Sequence, residues 1–212
     1  MGSAEAFIRA RLPLKPVPFV PEIRLHKADP HSGLRQLADE DADFGSPYWA
    51  HYWGGGLALA RYLLDQPALV AGRSLLDLGT GSGIVAIAAC LAGAGPVKAA
   101  DVDPYAIAAT KLNAEANGVS IETELGDLMI EPPAPIDVLA IGDLFYDAGT
   151  AARVLRFAQA SAARGTLVLI GDPRRAHLPL AILDEIAAYS VSELSGAADH
   201  NAKPACVYRL RA

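Results

Sequence analysis

From about residue 46 onward, apolar positions switch between short continuous runs and helical spacing. A run from Leu75 ends at Asp77, breaks at Gly79, Gly81 and Gly83, and resumes as an apolar helical pattern through Ala89. This is how a buried parallel strand hands over to a helix through a loop free of side chains. The pattern then repeats. A strand over 97–100 ends at Asp101, an amphipathic helix runs from Asp103-Pro104 to Asn117-Gly118, and a strand over 121–125 ends at Gly126-Asp127. Asp before Pro reads as an N-cap followed by the first helical position, and Asn-Gly as a helix stop. Strands are expected over 137–141 and 166–170 with a helix over 148–163 between them, then a helix over 178–188 and strands over 189–194 and 205–210. Such alternation predicts an α/β fold, a doubly wound, seven-stranded, mostly parallel sheet that admits one late antiparallel strand.

The first 45 residues lack this alternation. Pro13, Pro16, Pro18 and Pro21 favour extended or polyproline geometry, so residues 1–45 are expected to form an N-terminal arm with a strand near Ile23 to His26. The domain proper is placed at 46–212. Ser46-Pro47 reads as a helix start, Tyr48, Trp49, Tyr52 and Trp53 follow, and three glycines at 54–56 interrupt the helix before it resumes over 57–64.

Composition narrows the function classes. With 52% apolar residues in 212, one domain is expected to bury about 70% of its unfolded surface. Acidic residues outnumber basic ones 24 to 18, which opposes a broad nucleic-acid face and fits a cationic partner better. Cys90 and Cys206 have neither metal spacing nor a disulfide framework, so both are read as core residues in a reducing compartment. Arg9, Arg11 and Lys15 lie among prolines rather than before an apolar leader, and no run reaches the roughly 18 residues of a membrane span. A soluble, cytoplasmic protein without a membrane partner is expected.

The glycine loop carries the first chemical signal. Bare backbone followed by a helix N-terminus suits a nucleoside-bearing cofactor. A dinucleotide fingerprint would need a third glycine where Ile84 stands, whereas the G-x-G-x-G spacing resembles the first motif of class I S-adenosylmethionine (AdoMet) dependent methyltransferases. Asp101, about twenty residues beyond the loop, is placed for ribose hydroxyls under either cofactor, and Asp103 is assigned to capping. Asp77 is grouped with the cofactor loop. Asp127 either meets an adenine amino group or starts a turn. The strand ending at Ile141 runs into Gly142-Asp143-Leu144-Phe145-Tyr146-Asp147, at the carboxyl edge where ligands of open α/β sheets bind. A carboxylate with a phenol suits a cationic amine; alternatively Asp143 is a turn residue and the aromatics are core. Asp147 is read as a helix cap. Asp172 ends the next strand at the same edge, as a substrate ligand or a strand-end turn.

In order along the chain, PYWAHYWGGGLALARYLLD, LLDLGTGSG, DVDP, GDLFYD and IGDPRR resemble the electron transfer flavoprotein beta subunit lysine methyltransferases, a class I family. The resemblance covers about residues 46–212 and is weaker before them. It implies a bacterial member with a Rossmann-like fold, AdoMet as methyl donor and S-adenosylhomocysteine as product. It places Gly79, Gly81 and Gly83 at the methionine part, Asp101 at the ribose and Asp127 at the adenine. Trp53 would stack on the adenine or wall its pocket. Asp143 and Tyr146 match the family's D-x-x-Y motif, which holds the acceptor lysine, and the implied partner is the flavoprotein beta subunit. A ribosomal protein lysine is the nearest alternative acceptor; a nicotinamide-dependent oxidoreductase and a noncatalytic binding protein are more distant ones.

Overall fold

The computed structural model describes residues 3–40, 44–131, 134–191 and 203–211. In its N-terminal part, helix α1 (Ser3–Arg11) precedes a hairpin of β1 (Leu14–Val17) and β2 (Val20–His26), followed by α2 (Leu34–Glu40). A helix and a hairpin therefore stand where the prolines suggested an extended arm. Ile8 and Leu12 of this part are buried against Tyr105, Ala109 and Leu112, and that burial outweighs the modest amphipathicity of a nine-residue helix.

The rest forms the predicted sheet. Its strands are β3 (Leu75–Leu78), β4 (Val97–Asp101), β5 (Glu122–Leu125), β6 (Val138–Gly142), β7 (Leu167–Asp172), β8 (Leu183–Val191) and β9 (Lys203–Leu210). They lie in the order β5-β4-β3-β6-β7-β9-β8, parallel except that β9 runs antiparallel to both of its neighbours. Period-two alternation sets the layers. Val138 and Ala140 of β6 enter one core, beneath α3 (Gly54–Asp65) and α4 (Ile84–Leu91), while Leu139 and Ile141 enter the other, beneath α6 (Ala148–Ala162). Helix α5 (Pro104–Ala116) completes the connection from β4 to β5. The expected caps are present: Asp103 accepts the Tyr105 N–H at 2.8 Å and Asp147 the Thr150 N–H at 3.0 Å. Among the described residues, no helix is long and apolar enough to cross a membrane.

Two expectations fail, each for an identifiable reason. The helix expected over 178–188 is a 3-10 turn, Leu180–Ile182, leading into β8; the far end of the strand expected over 189–194 lies outside the described residues. Ala187 and Ala188 favour a helix in isolation, but pairing along the whole of β9 overrides that preference. The second concerns the glycines at 54–56. They do not interrupt a helix but form the first turn of α3, and only a short 3-10 turn, Tyr48–Ala50, precedes them. The reason is contact with the sheet: a Cβ on Gly55 would lie 2.2 Å from the Gly171 carbonyl oxygen, and one on Gly171 would lie 2.1 Å from the Gly55 oxygen. Helix and strand backbones touch directly at the sheet's carboxyl edge.

Candidate active site

The chain reverses its winding direction between β3 and β6, and the loops that follow these two strands meet there. After β3, Gly79, Gly81 and Gly83 all adopt positive φ, at 68°, 54° and 82°. Gly79 and Thr80 donate their N–H groups to the Ala100 carbonyl at 2.9 and 3.0 Å, stitching the loop to β4. Asp77 is only 1% exposed and sits beneath the loop rather than on its surface. Its carboxylate accepts from Thr80 Oγ1 at 2.6 Å and the Ala86 N–H at 3.1 Å, and burial pushes its pKa up to about 7. It supports the loop from below. Asp101 accepts the Gly81 N–H at 2.9 Å and the Asp103 N–H at 3.0 Å; burial raises its pKa despite these bonds. Val102 beside it is exposed, an apolar platform at the same edge.

Helix α5 braces the loop from the other side. Thr110 Oγ1 donates to the Gly81 carbonyl at 3.3 Å and Asn113 Nδ2 to the Ser82 carbonyl at 2.8 Å. Asn113 Oδ1 also accepts the His26 N–H at 2.8 Å, so one buried side chain joins the N-terminal hairpin to the glycine loop. Sequence reasoning missed both residues. Their signal is polar residues at three- and four-residue spacing, Thr110, Asn113 and Asn117, on a helix whose neighbouring positions are apolar.

Asp127 caps its own 3-10 turn through the Met129 N–H at 3.0 Å and pairs with Arg153 of α6, which lowers its pKa. It lies after β5, at the same edge as Asp101.

After β6, Asp143 takes φ 58°, a left-handed conformation tolerated by Asp but rare for most residues, and donates its N–H to the Gly171 carbonyl at 2.9 Å. Its side chain is buried. Oδ2 accepts the Gly56 N–H from the first turn of α3 at 3.0 Å, and Oδ1 accepts from Arg175 Nε and Nη2 at 3.0 and 2.7 Å. Arg175 is a further residue that sequence reasoning missed; only its place in the short turn after β7 could have pointed to it. Asp172 at the end of β7 is fully buried. One of its oxygens accepts the Arg175 N–H at 2.6 Å, the other has no hydrogen-bond partner among the described residues, and burial beside Asp143 pushes its pKa up to about 6.

The aromatics divide. Phe145 is core, whereas Tyr146 is half exposed. Tyr146 lies 6.2 Å from Tyr48, ring centre to ring centre, and Tyr48 lies 5.6 Å from Trp53. Trp53 donates Nε1–H to the Tyr48 carbonyl at 2.8 Å, and the Arg175 guanidinium lies 5.9 Å from its ring. Trp53, read from sequence as a cofactor residue, thus stands beside the Asp143–Arg175 pair. From this segment Trp49 approaches the glycine loop: its Cα would lie 3.9 Å from a Cβ on Gly81. The two loops also touch. A Cβ on Gly79 would meet the Leu144 side chain at 2.7 Å, so the residue after Asp143 lies against the first glycine.

Known proteins resemble this chain along most of its length. The family described as Ribosomal protein L11 methyltransferase (PrmA) matches residues 58–140, which ends before Asp143. The electron transfer flavoprotein beta subunit lysine methyltransferase of Xenopus laevis is 42% identical over 83% of this chain and 74% of its own length. The Danio rerio protein of the same name is 46% identical over 74% of this chain and 61% of its own length. A ribosomal protein L11 methylase from Lactobacillus delbrueckii subsp. bulgaricus shares the fold, with TM-score 0.51 and 21% identity, covering 73% of this chain and 77% of its own.

Proposed function

Because the chain belongs to the electron transfer flavoprotein beta subunit lysine methyltransferase family, we propose that it methylates lysine ε-amines of that beta subunit, using AdoMet. The observation that carries this reading is the contact of Leu144 with Gly79: it sets the acid-tyrosine loop directly beside a loop of bare backbone. The cradle fits an adenosyl group. Three left-handed glycines bring no side chains of their own to it, Gly81 has no side-chain atom where its Cβ would stand, and Asp101 and Asp127 follow at the ends of β4 and β5. Gly79, Gly81 and Gly83 would hold the methionine part, Asp101 the ribose and Asp127 the adenine, with Asp77 fixing the loop from beneath. AdoMet, when bound, supplies a methyl group on a sulfonium that needs no further activation.

The protein's task is then positioning. Asp143 and Tyr146 orient the acceptor amine, Asp172 shapes the same edge, and Tyr48 and Trp53 wall the approach. A free lysine has a pKa of about 10.4, so presenting it neutral at pH 7 costs about 4 to 5 kcal/mol. A cationic sulfonium beside the amine would lower that cost by disfavouring the ammonium.

The test is to incubate purified beta subunit with labelled AdoMet and the enzyme, then map the product by peptide mass. Methyl groups on subunit lysines are expected. An unmodified subunit in an extract where a ribosomal protein gains label would refute the acceptor assignment and favour the reading suggested by the match over residues 58–140.

A further inference from the structure

A carboxylate shut away from water is a poor partner for a nucleophilic amine. An opposite charge within about 4–6 Å favours the protonated form, which has no lone pair to attack with. Asp143, whose side chain is 9% exposed, would by itself trap the lysine it is meant to present. It is not by itself. Arg175 donates twice to one of its oxygens, the α3 first turn donates to the other, and the backbone of Arg175 is pinned to Asp172 at the end of β7.

Resting on the lysine-acceptor reading, we propose that Arg175 is a positioning residue of methyl transfer: it neutralises Asp143, so that the carboxylate orients the acceptor amine without holding it as an ammonium. The Asp143–Arg175 pair carries no net charge, and the fixed guanidinium opposes a second cation beside it. The amine releases its proton to water before its lone pair is used. Trp53, against the guanidinium, limits how far Arg175 can swing from the pair.

Other ionisable groups stand around the pair. Asp172 lies beneath it, and burial holds the pKa of His51, near Trp53, below its usual value. Tyr48 and Tyr146 line the rim, His177 lies near Asp147, and Arg174 is paired with Glu185. The first turn of α3 is all glycine and brings no charged side chain, only the positive end of the helix dipole. Asp172 is the carboxylate bonded directly to the backbone of Arg175, and burial raises its pKa to about 6, so the experiment removes it.

Single-turnover methyl transfer to the beta subunit is measured against pH in an Asp172→Asn background, with Arg175 intact, Arg175→Ala and Arg175→Lys. Asn keeps an oxygen to accept the Arg175 N–H. The acid limb of the rate should move up by about one pH unit in Arg175→Ala and return towards the starting profile in Arg175→Lys. Thermal melting and AdoMet calorimetry verify that each variant folds and binds its donor. An unmoved limb in a folded, AdoMet-binding Arg175→Ala protein overturns the proposal, and a lower half-saturating subunit concentration with the limb in place overturns it too, reducing Arg175 to an occupant that lysine displaces. Absence of transfer by the parent enzyme at every pH refutes the lysine-acceptor reading, and this role of Arg175 with it.

Discussion

Replacing Gly55 by Ala tests the contact on which the whole edge is built. In an ordinary first helical turn, alanine would gain up to about 1 kcal/mol over glycine. Here the new Cβ would stand 2.2 Å from the Gly171 oxygen and 2.6 Å from Asp143 Oδ2, whereas ordinary contact begins at 3.4 Å, so α3 must withdraw by roughly 1 Å. Overpacking of this kind costs about 1–3 kcal/mol. The same withdrawal stretches the 3.0 Å bond from the Gly56 N–H to Asp143, and losing a bond to a charged group costs about 1.5–3 kcal/mol more. Less the helix gain, the net loss is about 1.5–5 kcal/mol, a fall in Tm of roughly 3–20 °C for a chain of this size. Gly56→Ala is the control. Its Cβ would meet only Ile84 Cγ2 at 3.6 Å, so Tm should hold or rise by up to roughly 4 °C. Differential scanning calorimetry on the two variants decides it. Equal melting temperatures would refute the direct backbone contact between α3 and β7.

Three further outcomes are expected. Asp101→Ala should weaken AdoMet binding at least about tenfold by calorimetry, since a charge-assisted bond and the anchor of the Gly81 N–H are both lost; unchanged affinity removes the ribose assignment. Asp143→Ala should abolish most methyl transfer while AdoMet affinity stays within a few fold, and near-normal turnover would sink its role at the acceptor. For Asp77, the folded protein holds a proton up to about pH 7 where the unfolded chain loses it near 3.8. Its contribution to stability is therefore full below that window, falls as pH rises through it and is flat above. Asp77→Asn should accordingly gain on the parent protein in urea midpoint between pH 5 and pH 8; a constant difference would contradict the raised pKa.

Strands β3, β4 and β6 were legible because each is a short, largely apolar run that stops at Gly or Asp and hands over to a helix. Asp103 and Asp147 were legible as caps for the same local reason: both bond a backbone N–H two or three residues ahead. What escaped depends on distant partners. Ala187 and Ala188 read as helix until β9 is laid beside them, and three glycines read as a break until Gly171 is seen in their way. Arg175 and Asn113 escaped because one meets a carboxylate 32 residues away and the other a strand 87 residues away. The Asp143 loop was located by its position at a strand end, but its partners on α3 and after β7 are products of the tertiary fold.

The order in which the strands are made has its own consequence. β9 lies between β7 and β8, although both are synthesised before it. While residues 203–210 are still within the ribosome, β7 lacks its neighbour on that side, and Asp172 lacks Cys206, opposite which it pairs in register. An emerging chain that has already paired β5 through β7 therefore shows a second bare edge, at β7 as well as at β5, as a template for another chain. The tempo of translation across this stretch therefore bears on the yield of folded protein.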